Sequence, residues 1–459
     1  MSTAFDHTAL EVPPGAGFRL RLNETDLAIR SVDRALRGFG FSGFETQALV
    51  WLDGRLDAAR LRASLARLGR RHPIVTSRLH EIEGESRRSW VGGDGECLLH
   101  ETTLADSGKR AVLDEAGRML SVPRDPREYD PIRFHVLHAP DGRDVFLMQY
   151  NHTLLDNNAA LLLLSEIDRP PAEDDGQVRQ DGQALIRAYL KRHPREKRRE
   201  ALQRGILTWG QSTRGGAVML GKAADVPART GELRIVARSL SEAASDGLRD
   251  WTVRACGFPS LSMAVLGSAF RALDRLAPRE RGPRAKFLAG IGLDLGLRGK
   301  NGPIFQNLMS LVPIHARAEE LADRTALAQR LSGQLREHLA QGIDLGVLLM
   351  TALFNRRPRY SESFVEHGLR HSYSLWYAYF GALDRLGTEF CGARIDNVFY
   401  TGPSWSPIGL TLLVNQYRGK LQLQATCALA SVSQDLAEEF LQLVAEDLEG
   451  SGTPGHGQG

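Results

Sequence analysis

The segment Gln149–Leu164, QYNHTLLDNNAALLLL, places His152 and Asp156 four residues apart between two apolar runs. The spacing alone is uninformative, because a chain with 13 His and 55 acidic residues contains such pairs by chance. The setting is more specific: a strand-like run precedes His152, whereas Asp156 and Asn157 are helix-capping residue types followed by the apolar stretch NAALLLLSEI. The sequence therefore predicts that His152 lies on a turn between a strand and a helix.

A histidine at such a turn suits acid–base chemistry. Imidazole, with an ordinary pKa near ~6.5, can accept and release a proton at neutral pH, and a rigid strand end would fix its ring. Asp156 either orients that ring or forms a buried ion pair that shapes the loop. The ion pair is favoured because an unpaired carboxylate in an apolar turn is costly, and Arg298 is a candidate partner. A histidine buried only for packing is the alternative for His152.

Strand and helix patterns alternate on both sides of this turn, which predicts an α/β fold. After a polar leader, residues 45–54 read as a strand, and a helix follows with Asp57 as N-cap and Pro73 as its stop. Asp141-Gly142 marks a hairpin turn whose second arm runs into His152. Later segments read as a core helix (259–277), a buried strand (AKFLAGIGLDLGLR), helices that extend around Ser361–Phe380, three strands (ARIDNVFYTGP, GLTLLVNQYRG and KLQLQATCALA) and an amphipathic terminal helix (SQDLAEEFLQLVAEDL).

The length of 459 residues is too great for one hydrophobic core. A Pro-rich, acidic stretch at 168–182 marks a boundary, so we predict two related α/β subdomains, at 1–180 and 181–450, and a disordered tail at 451–459. A ligand site is expected in the groove between the subdomains.

Composition excludes several classes of function. A net charge of +3 does not indicate a nucleic-acid binder. The basic run Lys191–Glu200 is either a solvated helix face or linker, or a docking patch for an acidic carrier protein or a cofactor phosphate. Four scattered cysteines without a CxxC pair, and the absence of a signal-peptide pattern or an apolar run of membrane-spanning length, predict a cytoplasmic protein without a membrane span.

These features together resemble the condensation-domain superfamily of chloramphenicol-acetyltransferase-like folds, which includes peptide-forming condensation domains, polyketide-associated acyltransferases and wax-ester-synthase-type enzymes. The family hallmark is HHxxxDG on a strand-to-helix turn, and NHTLLDN occupies that place here. Three other segments match family elements in the same order: LDGRLDAARLRASLARLGRRHPIVTSRL, GLDLGLRGKNGPIFQN and IDNVFYTGP.

The resemblance implies two chloramphenicol-acetyltransferase-like sandwich subdomains arranged as a V, with the active-site tunnel between them. It implies a thioester donor, carried by acyl-CoA or by phosphopantetheine on an acyl or peptidyl carrier protein, and a small-molecule alcohol or amine acceptor. It implies neither a metal nor another bound cofactor. Because no adenylation or carrier domain fits in this length, we expect free CoA or a separate carrier protein to deliver the donor.

The resemblance also assigns roles to individual residues. His152 matches the catalytic general base, Asp156 the structural aspartate with Arg298 as its partner, and the backbone N–H of Asn157 a donor to the tetrahedral oxyanion. Asn151 takes the supporting place of the first His. Further candidates for the cleft come from the second half: Asn307, Asn397 and Ser404.

Two departures from the motif keep alternatives open, because Asn151 replaces a His and Asn157 replaces a Gly. The first hypothesis is a stand-alone acyltransferase of specialised metabolism that forms an ester or an amide. The second is a non-catalytic condensation-like module that recruits a partner or carrier protein. A third is cyclisation or epimerisation of a carrier-bound chain.

Overall fold

A computed structural model describes residues 18–80, 88–92, 95–170, 181–221, 231–277, 285–298, 303–355 and 358–450, with residues 358–364 described by their backbone only. The predicted tail at 451–459 and most of the predicted boundary, 171–180, lie outside the described residues. Within the described part of the chain, no single helix is long and apolar enough to cross a membrane; one sharply bent pair of helices passes by length and composition only.

The strands are β1 (Phe18–Arg21), β2 (Glu45–Asp53), β3 (Ser77–His80), β4 (Ser89–Gly92), β5 (Leu99–Thr103), β6 (Ile132–His138), β7 (Asp144–Asn151), β8 (Leu233–Ser239), β9 (Lys286–Asp294), β10 (Met309–Arg317), β11 (Trp376–Ala382), β12 (Glu389–Phe390), β13 (Ala393–Thr401), β14 (Leu410–Tyr417) and β15 (Lys420–Ala428). The helices are α1 (Glu24–Gly38), α2 (Ala58–Arg71), α3 (Lys109–Ser121), α4 (Asn157–Ile167), α5 (Gly182–Arg192), α6 (Arg195–Thr213), α7 (Glu242–Cys256), α8 (Leu261–Leu276), α9 (Arg324–Ala340), α10 (Ile343–Phe354), α11 (Pro358–His371) and α12 (Gln434–Glu449).

A six-stranded sheet, in the order β12-β13-β2-β7-β6-β5, carries the motif. The predicted hairpin is confirmed: β6 and β7 pair antiparallel, and Gly142 has a φ of 86°, which a glycine adopts without strain. The neighbour of β2 on its other side is β13, from the last part of the chain, which pairs from Thr401 opposite Gln47 to Arg394 opposite Asp53. Strands from both halves of the sequence therefore build the sheet that holds His152.

A four-stranded sheet, in the order β11-β14-β15-β8, and the β9–β10 pair follow in the second half. The predicted helix over Ser361–Phe380 is wrong in its second part, because α11 ends at His371 and Trp376–Ala382 forms β11, parallel to β14. The aromatic-rich sequence WYAYF favours a strand, where ring side chains pack across the pleated surface.

The prediction of a polar leader before residue 45 is also wrong, because residues 24–38 form α1. Asn23 caps this helix by accepting from the backbone N–H groups of Thr25 and Asp26, and the Asp26 side chain accepts from the Asn23 backbone in return. The buried face of α1 includes Ile29 and Leu36, which join a large apolar core made mostly of second-half residues.

The two largest apolar cores draw on both halves of the sequence. One combines Leu36 and Phe44 with side chains of the second half, such as Phe270. The other combines Val50 with Leu413, among many more. The predicted division at residue 180 stays a prediction, and the described cores cross it.

Candidate active site

His152 follows directly after β7, where its backbone N–H donates to the carbonyl of Phe44 at 2.8 Å. Its ring stacks on the Phe44 ring, with centroids 4.6 Å apart and an interplanar angle of 23°. The side chain is mostly buried, yet it lines a cavity. The ring is thus fixed by the backbone and by Phe44 while one edge stays accessible from the cavity.

Asn307 selects the tautomer of His152. The Asn307 Nδ2 amide lies 2.9 Å from Asp26 Oδ1 and also donates to the carbonyls of His152 and Thr153, at 2.9 and 3.1 Å. Because all three neighbours of this nitrogen are acceptors, the amide oxygen is the atom 3.1 Å from His152 Nδ1. His152 Nδ1 therefore carries the proton and donates to this oxygen, and His152 Nε2 keeps its lone pair. Burial lowers the pKa of His152, which favours the neutral ring.

Asp26 in turn fixes the orientation of Asn307. Its Oδ1 accepts from the backbone N–H and the Nδ2 of Asn307, at 3.1 and 2.9 Å, and its Oδ2 accepts from the Asn23 backbone and Gln306 Nε2, at 2.9 and 3.0 Å. Burial raises the pKa of Asp26 to about 7, although these four donors oppose the shift. Helix α1, absent from the sequence prediction, thus positions the histidine through one intermediate side chain.

Asp156 makes the ion pair for which Arg298 was the candidate partner. Arg298 Nη2 donates to Asp156 Oδ2 at 2.6 Å, and both side chains are buried. Asp156 Oδ2 also accepts from the Leu308 backbone at 2.8 Å, while Oδ1 caps α4 by accepting from Ala159 N at 2.8 Å. The carboxylate therefore holds the start of α4 against the segment before β10, as expected for a structural rather than a ring-orienting role.

Asn151, at the place of the first motif His, is fully buried and bonded within the protein. Its Nδ2 donates to Asp33 Oδ1 at 2.9 Å and to Glu45 Oε1 at 3.1 Å, and its Oδ1 accepts from Thr153 N at 2.9 Å. Glu45 also pairs with Arg133 at 2.6 Å. The amide thus links two buried carboxylates, and Asn151 is not among the described residues that line the cavity.

The remaining candidates divide into two groups. Asn157 lines the cavity as the first residue of α4, where a backbone N–H has no acceptor within the helix, and Asn307 lies beside His152. Asn397, which lies on β13, instead donates from Nδ2 to Gln422 Oε1 at 3.2 Å. Ser404 is buried, and its Oγ has no hydrogen-bond partner among the described residues. Neither Asn397 nor Ser404 is among the described residues that line the cavity.

The cavity has a volume of about 300 Å³, within the range of small-molecule sites. Its walls come from α1, α10, the end of α11, β9, β10 and β11. The sequence interpretation missed α1 as a wall of the site. The signal was present, since Asn23 and Asp26 have the spacing of a capping box before a periodic apolar run.

No protein-family model matches this chain, and no curated protein does either. Solved structures do. The TRI3 trichothecene 15-O-acetyltransferase from Fusarium sporotrichioides matches with a TM-score of 0.66 and 11% identity, over 94% of this chain and 95% of that one. The first condensation domain of the calcium-dependent antibiotic synthetase, in complex with a substrate analogue, matches with a TM-score of 0.68 and 14% identity, over 96% of this chain and 98% of that one. Polyketide synthase associated protein 5 from Mycobacterium tuberculosis matches with a TM-score of 0.60 and 13% identity, over 94% of this chain and 97% of that one.

At identities this low, the matches establish the fold. The chain has the mixed α/β, chloramphenicol-acetyltransferase-like fold of condensation domains, and the resemblance inferred from the motif is confirmed at that level.

Proposed function

We propose that this protein is a stand-alone condensation-like acyltransferase that moves an acyl group from a thioester to a hydroxyl or amine of a small molecule. One observation carries the proposal: His152 has its Nδ1 bonded to Asn307, so the bare Nε2 is available to a reactant in the adjoining cavity. A neutral imidazole held in one tautomer is what general-base catalysis requires.

The proposed reaction uses His152 as the base. His152 Nε2 takes the proton of the acceptor O–H or N–H as that atom attacks the thioester carbonyl. The tetrahedral oxyanion accepts a hydrogen bond from the Asn157 backbone N–H, a contribution worth roughly 3 to 4 kcal/mol in comparable sites. Collapse breaks the C–S bond, and the proton on Nε2 passes to the departing thiolate sulfur. An ester or amide and a free thiol result, and His152 returns to its neutral form.

Asn307 has a second use during this cycle. When Nε2 is protonated, the ring carries a positive charge, and its Nδ1–H still donates to the Asn307 oxygen. The bond to a neutral amide orients the ring without trapping it as an ion, because a carboxylate in that place would raise the pKa of His152. We assign Asn307 and Asp26 as positioning residues.

Acyl-CoA and a carrier-protein thioester are the two candidate donors. The basic run Lys191–Glu200 ends α5 and begins α6, and most of its side chains are exposed. An exposed cationic surface attracts either an acidic carrier protein or the phosphates of CoA.

The test is acyl transfer by the purified protein. Intact-mass analysis follows a panel of acyl-CoAs and acyl carrier proteins, mixed with alcohol and amine acceptors, for discharge of the donor. We expect one donor class to lose its acyl group only when protein and acceptor are both present. If no thioester is discharged while an acyl carrier protein binds the chain stably, the non-catalytic module is correct instead.

A further inference from the structure

The cavity beyond His152 has one aromatic and one aliphatic wall. Ring contacts continue from His152 and Phe44 to Trp376, Tyr373 and Trp209, with centroid separations of 6.0 Å (Phe44–Trp376), 5.5 Å (Trp376–Tyr373) and 6.4 Å (Tyr373–Trp209). Most of the lining side chains from α1 and α10 are apolar, and all of these except Phe354 are aliphatic: Ala28, Ile29, Val32, Val347, Met350 and Phe354. A ligand that enters past the imidazole therefore meets hydrocarbon on both sides.

The acidic groups among the described residues that line the cavity both lie close to Arg298. Among the described lining residues, the carboxylates are those of Asp156 and Asp294. Asp156 is paired with Arg298, and Asp294 accepts from Asn158 Nδ2 at 2.7 Å. Burial of an unpaired ionic group among these walls is unfavourable, so the part of the substrate that fills the cavity is uncharged.

Several residues that line the cavity carry hydroxyls, among them Thr25 and Ser310, which donate to backbone carbonyls, and Tyr373. Tyr373 is 4% exposed and lines the cavity, and its hydroxyl has no hydrogen bond to any residue that the structure describes. The nearby Tyr377 differs, because its hydroxyl donates to the Ser262 carbonyl at 2.8 Å. Unlike the hydroxyl of Tyr400, which is fully buried and has no partner among the described residues, the Tyr373 hydroxyl keeps accessible surface, and the cavity is the side from which a partner can approach it.

The size of the cavity limits the ligand's length. A volume of about 300 Å³ is at the lower end of the range for small-molecule sites, so the cavity accommodates a small ligand or a short chain. Gly290 on β9 leaves room for the Tyr373 ring, since a Cβ there would lie 3.3 Å from Tyr373 Cε1.

We propose that the cavity holds an uncharged aliphatic chain of the substrate, and that the Tyr373 hydroxyl donates a hydrogen bond to an oxygen atom on that chain. Only one part of this assignment rests on the proposed function, namely that the bound chain belongs to a reactant of acyl transfer. The binding itself does not require turnover.

The test uses unreactive neutral probes and the full-length protein. Calorimetry measures the dissociation constants of acetamide, octanamide and the 3-oxo, 5-oxo and 7-oxo derivatives of octanamide for the wild type, Tyr373→Phe and Tyr377→Phe. We expect octanamide to bind at least about tenfold more tightly than acetamide, given the apolar area that it buries. At least one oxo isomer should bind about three- to tenfold more weakly to Tyr373→Phe than to the wild type, as one hydrogen bond predicts. Tyr377→Phe should bind every probe like the wild type.

A filled-cavity variant locates the binding. Ala28→Trp places an indole into the cavity from α1 and should weaken octanamide binding at least about tenfold. Equal affinities for acetamide and octanamide, or wild-type binding by Ala28→Trp, would overturn the assignment of an aliphatic chain. If Tyr373→Phe binds all oxo isomers like the wild type, the role of the hydroxyl is wrong. Probe binding as expected in a protein that discharges no thioester would refute the proposed acyl transfer and leave the cavity assignment intact.

Discussion

At the scale of single residues, Asn307 decides what His152 can do. With its nitrogen surrounded by acceptors, the amide presents oxygen to the imidazole, and Nε2 remains a base. Because burial lowers the pKa of His152, the neutral ring persists below the ordinary pKa of 6.5. We expect kcat/KM for acyl transfer to stay constant as pH falls to 6.5 and to decline only below it. A midpoint above 6.5 in Asp26→Asn, which lacks the titrating carboxyl of Asp26, would contradict this.

Asp26 could mimic or mask that decline, since its pKa is raised to about 7. The profile should therefore also be recorded for Asp26→Asn, which removes this titration. We expect the decline below pH 6.5 to remain in the variant, because it belongs to His152.

Asp156 and Asp294 form a matched pair of carboxylates around Arg298. Asp156 lies 2.6 Å from the guanidinium and is buried, whereas Asp294 lies 3.5 Å away with its side chain 38% exposed. Asp156→Ala leaves Arg298 without its buried counter-charge and should lower the free energy of unfolding by about 3 to 5 kcal/mol. Asp294→Ala should cost less than about 1 kcal/mol. Urea unfolding of both variants checks this, and equal costs would refute the structural role of Asp156.

The site residues differ in how far the sequence could predict them. Asp156 is an acidic residue in an apolar turn, so its need for a cation was visible, and the resemblance pointed to Arg298. Asp26 acts through Asn307, which lies 281 residues away in the sequence. No local pattern encodes such a contact, because it exists only when α1 packs beside the segment before β10.

At the scale of secondary-structure elements, α6 and α10 cross with unusually close backbones. A Cβ at Gly205 would lie 2.7 Å from the Gly346 carbonyl carbon, whereas a Cβ at Gly210, on the same helix, would meet nothing within 4 Å. Gly205→Ala should therefore destabilise the protein by about 1 to 3 kcal/mol. Gly210→Ala should stabilise it by about 0.5 to 1 kcal/mol through helix propensity. Thermal unfolding compares them, and similar shifts in Tm would show that the crossing is not tight.

Periodicity predicted most elements and failed where two signals competed. The hairpin of β6 and β7 has a clear turn dipeptide and alternating arms. Helix α1 was overlooked because charged residues are interspersed with its apolar ones, although its capping box was legible. Strand β11 was assigned to a helix because the aromatic run follows α11 after only a short connection, and its pairing with β14 is a tertiary contact.

At the scale of the whole molecule, the sequence halves share their sheet and their cores. Strand β13 pairs along β2, and Leu413 belongs to the same apolar core as Val50. We expect a fragment of residues 1–180 to lack a cooperative thermal transition, since β2 would have an exposed edge and the core would lose part of its apolar contacts. Co-expression with residues 181–459 should restore the transition. A fragment that unfolds cooperatively alone would support an independent subdomain.

The proposed chemistry depends on this assembly, because the base lies at the end of a first-half strand and Asn307 comes from the second half. The most direct test is the single-turnover rate of acyl transfer by His152→Ala, with His100→Ala, at an exposed site on β5, as the matched control. We predict that His152→Ala, assayed at a temperature where it remains folded, transfers the acyl group about 10² to 10⁴ times more slowly than the wild type, and that His100→Ala retains the full rate. Transfer by His152→Ala at the wild-type rate would contradict the account.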